Sequence, residues 1–212
     1  MVYGSDFGSG PRNGPYGVTR PAPESRRARA RDAAVLVAGW VTLLWALEVI
    51  DAISGHALDT YGITPREFAE LRDVVPAAFL HFGFDHLAAN SLPLLVMGFL
   101  AALSGIRRFL SVVAVITLVS GLGVWLTSPA YSTTAGASGV VFGLFGYLVV
   151  RGFVDRRIGD VLVGLLVGAV YGSILWGVLP TATGVSWQGH LFGLIGGVAA
   201  AVAFRRTPDR QA

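Results

Sequence analysis

Long apolar stretches, separated by short polar turns, make up most of this chain. Each stretch is close to the roughly 20 residues that an α-helix needs to cross a hydrocarbon layer about 30 Å thick. Because a backbone in lipid has to satisfy its own hydrogen bonds, we predict that these stretches are helices. The pattern therefore predicts an all-α, polytopic membrane protein, a bundle of six transmembrane helices at roughly 33–53, 79–103, 109–127, 137–154, 161–180 and 185–204.

The regions outside these stretches are polar. Residues 1–31 are rich in Gly, Pro, Ser and Arg and have almost no aliphatic run, so we expect a disordered tail there. Residues 32–206 are predicted to form one six-helix domain, followed by a short tail at 207–212. The loop at 54–78 is the longest inside the domain, and we expect it to hold short interfacial helices.

Composition supports the membrane assignment. Only 14% of the residues are charged, whereas a soluble domain usually carries about 25%. The mean hydropathy is +0.62. The chain has no cysteine, which excludes disulfides and thiolate metal sites.

The distribution of positive charge predicts the topology. All 16 basic residues are arginines. An arginine-rich chain can indicate nucleic-acid binding, but here the arginines lie in short runs between apolar stretches. Only Arg66 and Arg72 fall in the loops on one side of the predicted membrane. Since positive charge stays in the cytoplasm, we expect both termini inside, a location in the cell membrane, and no nucleic-acid partner.

A small set of polar side chains lies inside the apolar stretches, where polar groups are costly and usually functional. They are His81, His86 and Asn90 in the second stretch, Ser138 in the fourth and His190 in the sixth. Ser138 and His190 each lie about 20 Å of helix from the predicted cytoplasmic boundary, and a similar count places Asn90 at the same level. Residues from three helices are therefore expected at one depth.

Glycines predict which of these helices touch. Gly139 and Gly143 lie four residues apart in the fourth stretch, and Gly193 and Gly197 do so in the sixth. Two helices lined by glycine can approach closely in lipid. Because the glycines follow the serine and the histidine directly, a close crossing would bring those two side chains together.

The chemistry of Ser138 and His190 fits nucleophilic catalysis. A serine hydroxyl is a weak nucleophile until a base removes its proton, and an imidazole can do so and return the proton to the leaving group. Asp85 is predicted to point to another helix face, and no other carboxyl lies at the right depth to complete a triad. We therefore predict a Ser–His dyad.

Further residues are candidates for oxyanion and substrate binding. His86 and Asn90 lie four residues apart and share one helix face, and both side chains can donate hydrogen bonds. The N–H of Ser138, at the start of its helix, is a third candidate donor. Gly136 and Gly139 leave the backbone around the serine unobstructed.

Three motifs together resemble those of the rhomboid intramembrane proteases. The family's GxSG motif resembles Gly136-Ala137-Ser138-Gly139, its HxxxN motif resembles His86-Leu87-Ala88-Ala89-Asn90, and its sixth-helix histidine motif resembles Gly189-His190-Leu191-Phe192-Gly193. His81 also matches a recurrent position. Order, spacing and helix assignment agree over residues from about 33 to 206.

The resemblance implies a six-helix rhomboid-like bundle that cleaves transmembrane segments of other membrane proteins without a metal or cofactor. It also implies substrate entry past a mobile fifth helix and its following loop, here residues 180–184. Phe142 stands where many members have a tyrosine that stacks on the catalytic histidine, and we expect it to keep the stacking. The Trp–Arg pair typical of the first loop is missing, which leaves the shape of that loop open.

Other interpretations stay open at this point. Ser138 alone is more often a helix-packing residue, and Asn90 can simply bond a neighbouring helix. His81, His86 and His190 are a possible three-histidine metal site, although few carboxylates are near to support one. A rhomboid-like pseudoenzyme that binds membrane proteins without cutting them, and a small transporter, are the competing functions; the sequence defines no oligomeric state.

Overall fold

The structure is a computed structural model that describes residues 26–180 and 184–206. Its architecture is all-helical, and in this part of the chain the one β-type contact is an isolated bridge between Ile63 and Thr134. The helices are α1 (Arg26–Ile53), α2 (Phe84–Ala102), α3 (Ile106–Thr127), α4 (Ser138–Asp155), α5 (Ile158–Tyr171) and α6 (Trp187–Ala203). The predicted all-α bundle is confirmed.

Within the described residues, five helical spans are long and apolar enough to cross a membrane. They are α1 to α4, and α5 together with the 3-10 helix Gly172–Val178 that continues it. At 17 residues, α6 is the shortest of the predicted six. Three more 3-10 helices, Ala57–Tyr61, Phe68–Val74 and Pro76–Phe79, occupy the long loop where short helices were expected.

Two predicted boundaries differ from the structure. α1 begins at Arg26, so the last residues of the expected tail are helical, because arginine and alanine both favour helix. α2 begins only at Phe84, after Gly83 with its positive φ of 100°, which leaves His81 in the preceding loop. The expected disorder of residues 1–25, the tail at 207–212 and most of the cap loop, 181–183, lie outside the described residues.

α4 lies at the centre of the bundle. It contacts α2, α3, α5 and α6, and its side chains are the most buried of any span. α1 packs mainly along α2 through a stripe that begins with Ala33, Val37 and Val41. The span that starts with α5 is the least buried. α4 is therefore enclosed by its neighbouring helices, and α5 covers it from one side.

The predicted close crossing of α4 and α6 is present. A Cβ atom added to Gly193 would collide with the carbonyl oxygen of Gly139, and one added to Gly197 would collide with that of Gly143. Backbone therefore meets backbone, with no room for a side chain between the two helices. The glycines set the register that places the first turn of α6 beside the first turn of α4.

The long loop packs on the segment that leads into α4. Ile63 and Thr134 exchange backbone hydrogen bonds of 2.8 and 3.1 Å. The Arg66 guanidinium donates to the carbonyl of Ser128 at 2.8 Å, and the Trp125 indole donates to the carbonyl of Glu67 at 3.1 Å. An arginine and a tryptophan from different segments thus hold this loop, although the family's usual pair is missing.

The α4–α6 crossing leads to a stability prediction. We expect Gly197→Ala to lower the free energy of unfolding by about 1–3 kcal/mol, because the added methyl group meets a backbone carbonyl that cannot rotate away. Thermal unfolding of the purified protein in detergent measures the effect.

Gly168→Ala in α5 is the matched control, since among the described residues a Cβ there meets nothing within 4 Å. Alanine favours helix over glycine by up to about 1 kcal/mol, so this variant should be neutral or slightly more stable. Equal unfolding midpoints for Gly197→Ala and the wild type would contradict the close crossing.

Candidate active site

His190 is held by a capped helix start and by an aromatic ring stacked on its imidazole. It lies in the first turn of α6, where the Ser186 hydroxyl accepts a hydrogen bond from the N–H of Gly189 at 3.2 Å and caps the helix. One face of the imidazole stacks on the Phe142 ring, with centroids 4.0 Å apart and planes 6° apart. The predicted stacking partner is therefore in place.

The hydrogen bond at Nδ1 defines the state of the ring. Nδ1 of His190 lies 2.8 Å from the carbonyl oxygen of Gly177, at the end of the α5 extension. Since a carbonyl oxygen only accepts, we assign the proton of the neutral ring to Nδ1. Nε2 then carries the free lone pair, which is the form that a general base requires.

Ser138 is the first residue of α4. Two residues before it, Gly136 has a backbone conformation that favours glycine. Gly136 has a φ of +140°, and its N–H donates to the carbonyl of Ala77 at 2.8 Å. A Cβ at Gly136 would lie 3.0 Å from Nε2 of His86 and 3.7 Å from Oγ of Ser138. The serine hydroxyl and the His86 ring therefore flank the same small space.

His81 positions the segment that carries the serine. Its Nε2 accepts a hydrogen bond of 3.2 Å from the N–H of Ala137. Burial, and to a lesser extent the neighbouring His86, lower the pKa of His81 to about 4, so the ring is neutral and able to accept. The rings of His81 and His86 meet edge to face with centroids 5.2 Å apart. His81 thus links the loop before α2 to the start of α4.

Ser138 and His190 are brought to one site. Phe142 lies one turn after Ser138 on the same face of α4, and His190 stacks on it. A Cβ on Gly139, next to Ser138, would lie 3.2 Å from the carbonyl oxygen of Gly189, next to His190. The two side chains therefore start from adjoining backbone at the same end of the bundle.

Asn90 is buried in the same region but faces its own helix. Its Nδ2 donates to the carbonyl of His86 at 2.8 Å, which uses one of its two N–H groups. The second N–H is the one left for another acceptor. Asp85 is exposed, in agreement with its predicted position on another face.

A small cleft of about 30 Å³ lies beside the serine, between α3, α4 and the loops. Polar groups on its wall include Thr117, Ser120, Thr134 and Ser186. This volume is large enough for a water molecule, and the wall offers several hydrogen-bonding partners.

Three groups that orient His190 are not among the residues predicted from the sequence. Ser120 donates from Oγ to the carbonyl of Gly189 at 2.8 Å and so connects α3 to the start of α6. Ser186 is a recognisable N-cap three residues before Gly189, and its residue type was a usable signal. The carbonyl of Gly177 carries no sequence signal at all, because every residue has one.

The donor atoms of His81, His86 and His190 are not gathered within 4.8 Å of one another. Among the described residues, the one group of three or more ligating side chains with its donor atoms close together is Asp51, His56 and Asp59. His81 instead accepts from the N–H of Ala137, and His190 bonds the carbonyl of Gly177. His86 lies beside Gly136.

Fold and site together define a polytopic helical membrane protein with a serine and a histidine at one end of its bundle. The sequence matches the Rhomboid domain family over residues 69–207. An uncharacterized protein of Mycobacterium tuberculosis is 40% identical over 95% of this chain and 90% of its own length. YdcA of Bacillus subtilis, provisionally named a rhomboid protease, is 33% identical over 69% of this chain and 71% of its own length.

A third relative is the Bacillus subtilis rhomboid protease GluP, which is 31% identical over 58% of this chain and 24% of its own length. The chain belongs to the rhomboid family, and it is an integral, multi-pass membrane protein.

The role of His81 is testable by stability. We expect His81→Ala to lower the free energy of unfolding by about 1–3 kcal/mol, because the buried N–H of Ala137 loses its acceptor. Thermal unfolding in detergent reports the change.

His81→Gln is the matched variant, since its side-chain oxygen can still accept from that N–H. It should recover part of the lost stability. If His81→Ala unfolds at the wild-type temperature, the hydrogen bond does not hold the segment before α4.

Proposed function

We propose that this protein is an intramembrane serine endopeptidase that cleaves transmembrane segments of other membrane proteins with a Ser138–His190 dyad. The observation that carries the proposal is the hydrogen bond from Nδ1 of His190 to the carbonyl of Gly177, 2.8 Å long. It leaves Nε2 as the basic nitrogen on a ring that Phe142 holds against the face of α4 beginning with Ser138. Membership of the rhomboid family supports the same function.

The proposed reaction has two steps. Nε2 of His190 takes the proton of the Ser138 hydroxyl while Oγ attacks the carbonyl carbon of the scissile peptide bond. The imidazolium then gives this proton to the leaving amine, and an acyl-enzyme forms. A water molecule, deprotonated by the same nitrogen, attacks the ester carbonyl carbon. The bond from this carbon to Oγ then breaks, the imidazolium returns the proton to Oγ of Ser138, and the carboxylic acid product is released.

The carbonyl of Gly177 takes the place that a carboxylate has in a triad. It accepts from Nδ1–H, fixes the tautomer and orients the ring. As a neutral acceptor it stabilises the imidazolium less than a carboxylate would. It also avoids a buried negative charge, which is costly at this depth of a membrane protein.

Donors for the oxyanion are available around Gly136. His86 lies over this glycine opposite the serine hydroxyl, and the N–H of Ser138 is at the open start of α4. We assign the second N–H of Asn90 as a further donor to the oxyanion. Gly136 and Gly139 keep Cβ atoms out of the space that the tetrahedral intermediate needs.

The arginine distribution supports an orientation with both termini in the cytoplasm and the serine near the outer side of the cell membrane. Ion pairs within the chain also stabilise the arginine-rich end of the bundle. Arg151 donates to Asp160 at 2.8 Å, and Arg108 to Asp155 at 3.1 Å. Substrates are then membrane proteins whose helices reach the site from the lipid side.

The dyad is tested by two variants. Ser138→Ala and His190→Ala should each abolish cleavage of a model transmembrane substrate in detergent, because nucleophile and base act as one unit. A fluorophosphonate probe should label the wild type and leave Ser138→Ala unlabelled.

Ser111→Ala is the matched control, because this exposed serine lies near the start of α3, away from the site. Among the described residues, its hydroxyl donates only to the carbonyl of Arg107. It should cleave and label like the wild type. Persistent cleavage by Ser138→Ala or His190→Ala would reject the dyad, and an unlabelled, inactive wild type would favour a pseudoenzyme.

The oxyanion role of Asn90 gives a kinetic prediction. Asn90→Ala should lower kcat about 10²- to 10³-fold with little change in KM, as removal of an oxyanion donor does elsewhere. Steady-state kinetics on the same substrate separate the two constants.

Ser91→Ala provides the comparison, because Ser91 also donates to the carbonyl four residues before it, at 2.8 Å. Both variants lose such a bond, and only Asn90 belongs to the proposed site. Equal kcat for Asn90→Ala and Ser91→Ala would remove Asn90 from the oxyanion site.

A further inference from the structure

The buried stripe of α1 ends on two carboxylates. It begins with Ala33 and runs through apolar residues to Leu44, and the next two positions of the same face are Glu48 and Asp51. These acidic residues are only 3% and 2% exposed. Two carboxylates one turn apart and turned inward need positive charge close to them, because like charges in a poorly solvated place repel strongly.

The chain folds back over this end of α1. Asp51 accepts from the N–H of Leu58 through Oδ1 at 2.7 Å, which holds the turn Ala57–Tyr61 against the helix. His56, in the left-handed conformation with φ +64°, then places Nδ1 3.0 Å from Oδ2 of Asp51 and 3.9 Å from Oδ2 of Asp59. The donor atoms of these three residues all lie within 4.8 Å of one another.

Glu48 faces the same group. Its carboxylate is within electrostatic range of Asp51, His56 and Asp59. Its Oε1 is buried and has no hydrogen-bond partner among the residues that the structure describes, and the same holds for Oδ1 of Asp59. Two buried carboxylate oxygens without partners therefore point to something that binds oxygen.

Positive charge is scarce around these carboxylates. Within 26–180 and 184–206, His56 is the only basic group among the electrostatic neighbours of Glu48 and Asp59. One half-exposed imidazole is therefore the only basic neighbour among these for three carboxylates.

We propose that Asp51, His56 and Asp59 bind a divalent transition-metal cation at this end of α1, with the buried carboxylate of Glu48 adding negative charge nearby. Two ligands that share such a cation with bonds of about 2.0–2.2 Å lie roughly 3.0–3.5 Å apart, close to the separations of the His56 nitrogen from the two aspartates. An imidazole among carboxylates favours Zn²⁺ or Mn²⁺ over Mg²⁺, which prefers oxygen ligands and its own water.

The bound cation would join two parts of the chain. Asp51 belongs to α1, and His56 and Asp59 belong to the start of the long loop. The long loop also supports the segment before Ser138 through Ala77 and Gly136. The metal would therefore stabilise this end of the bundle and take no part in the serine chemistry.

The test uses the full chain without a polyhistidine tag, purified in detergent and freed of metal with a chelator. Equilibrium dialysis against Zn²⁺, followed by elemental analysis, should give one ion per chain. The unfolding temperature should rise with free Zn²⁺ because only the folded state assembles the site. Mg²⁺ at the same concentrations should produce a smaller rise.

His56→Gln and Asp59→Asn are the informative variants, because both side chains are partly exposed and their loss leaves the α1 stripe intact. Each should weaken Zn²⁺ binding at least about tenfold and remove the Zn²⁺-dependent rise. Glu67→Gln is the matched control, since this exposed carboxylate lies in the same loop outside the cluster.

Binding of Zn²⁺ to His56→Gln and Asp59→Asn with wild-type affinity would overturn the proposal. So would loss of binding in His86→Gln with retention in His56→Gln, which would place the ion at the active-site histidines. Stronger binding of Mg²⁺ than of Zn²⁺ would overturn the assigned class of cation. All of these readouts are independent of proteolysis, so they stand whether or not the Ser138–His190 dyad is active.

Discussion

The direct contact between the backbones of α4 and α6 is the constraint on which the rest of this structure depends. Gly193 and Gly197 lie against the carbonyl groups of Gly139 and Gly143, and a methyl group at either position has no place to go. Lipid gives helices little hydrophobic reason to associate, so close van der Waals packing has to provide the attraction. The same packing fixes the axial register of the two helices and so sets a hydroxyl and an imidazole at the same height.

Around that contact, the polar groups are arranged so that each orients another. Ser120 holds the start of α6, the carbonyl of Gly177 holds the His190 ring, and His81 holds the segment before Ser138. Most of these bonds involve a backbone group on one side. Backbone partners are well suited to a membrane interior, because they add no further side chain whose own polar atoms need satisfaction.

Much of this architecture was predictable from the sequence. The positions of the apolar stretches, the glycine spacing and the aromatic ring at Phe142 anticipate the bundle, the crossing and the stack on His190. Local chemistry limited the rest. The start of α2 depends on the conformation of Gly83, the bond of Asn90 to its own helix has no pattern in the sequence, and the carbonyl of Gly177 is invisible there. His56 was indistinguishable from a solvated loop residue until the turn after α1 carried it back to Asp51.

The position of the Gly177 carbonyl has a mechanical consequence. It belongs to the 3-10 extension of α5, the least buried of the spans, whereas the ring it orients belongs to the tightly packed pair α4 and α6. Because acceptor and ring belong to different helices, any displacement of that span would withdraw the acceptor from Nδ1. The tautomer of His190 is therefore tied to the position of the helix that the rest of the bundle holds least.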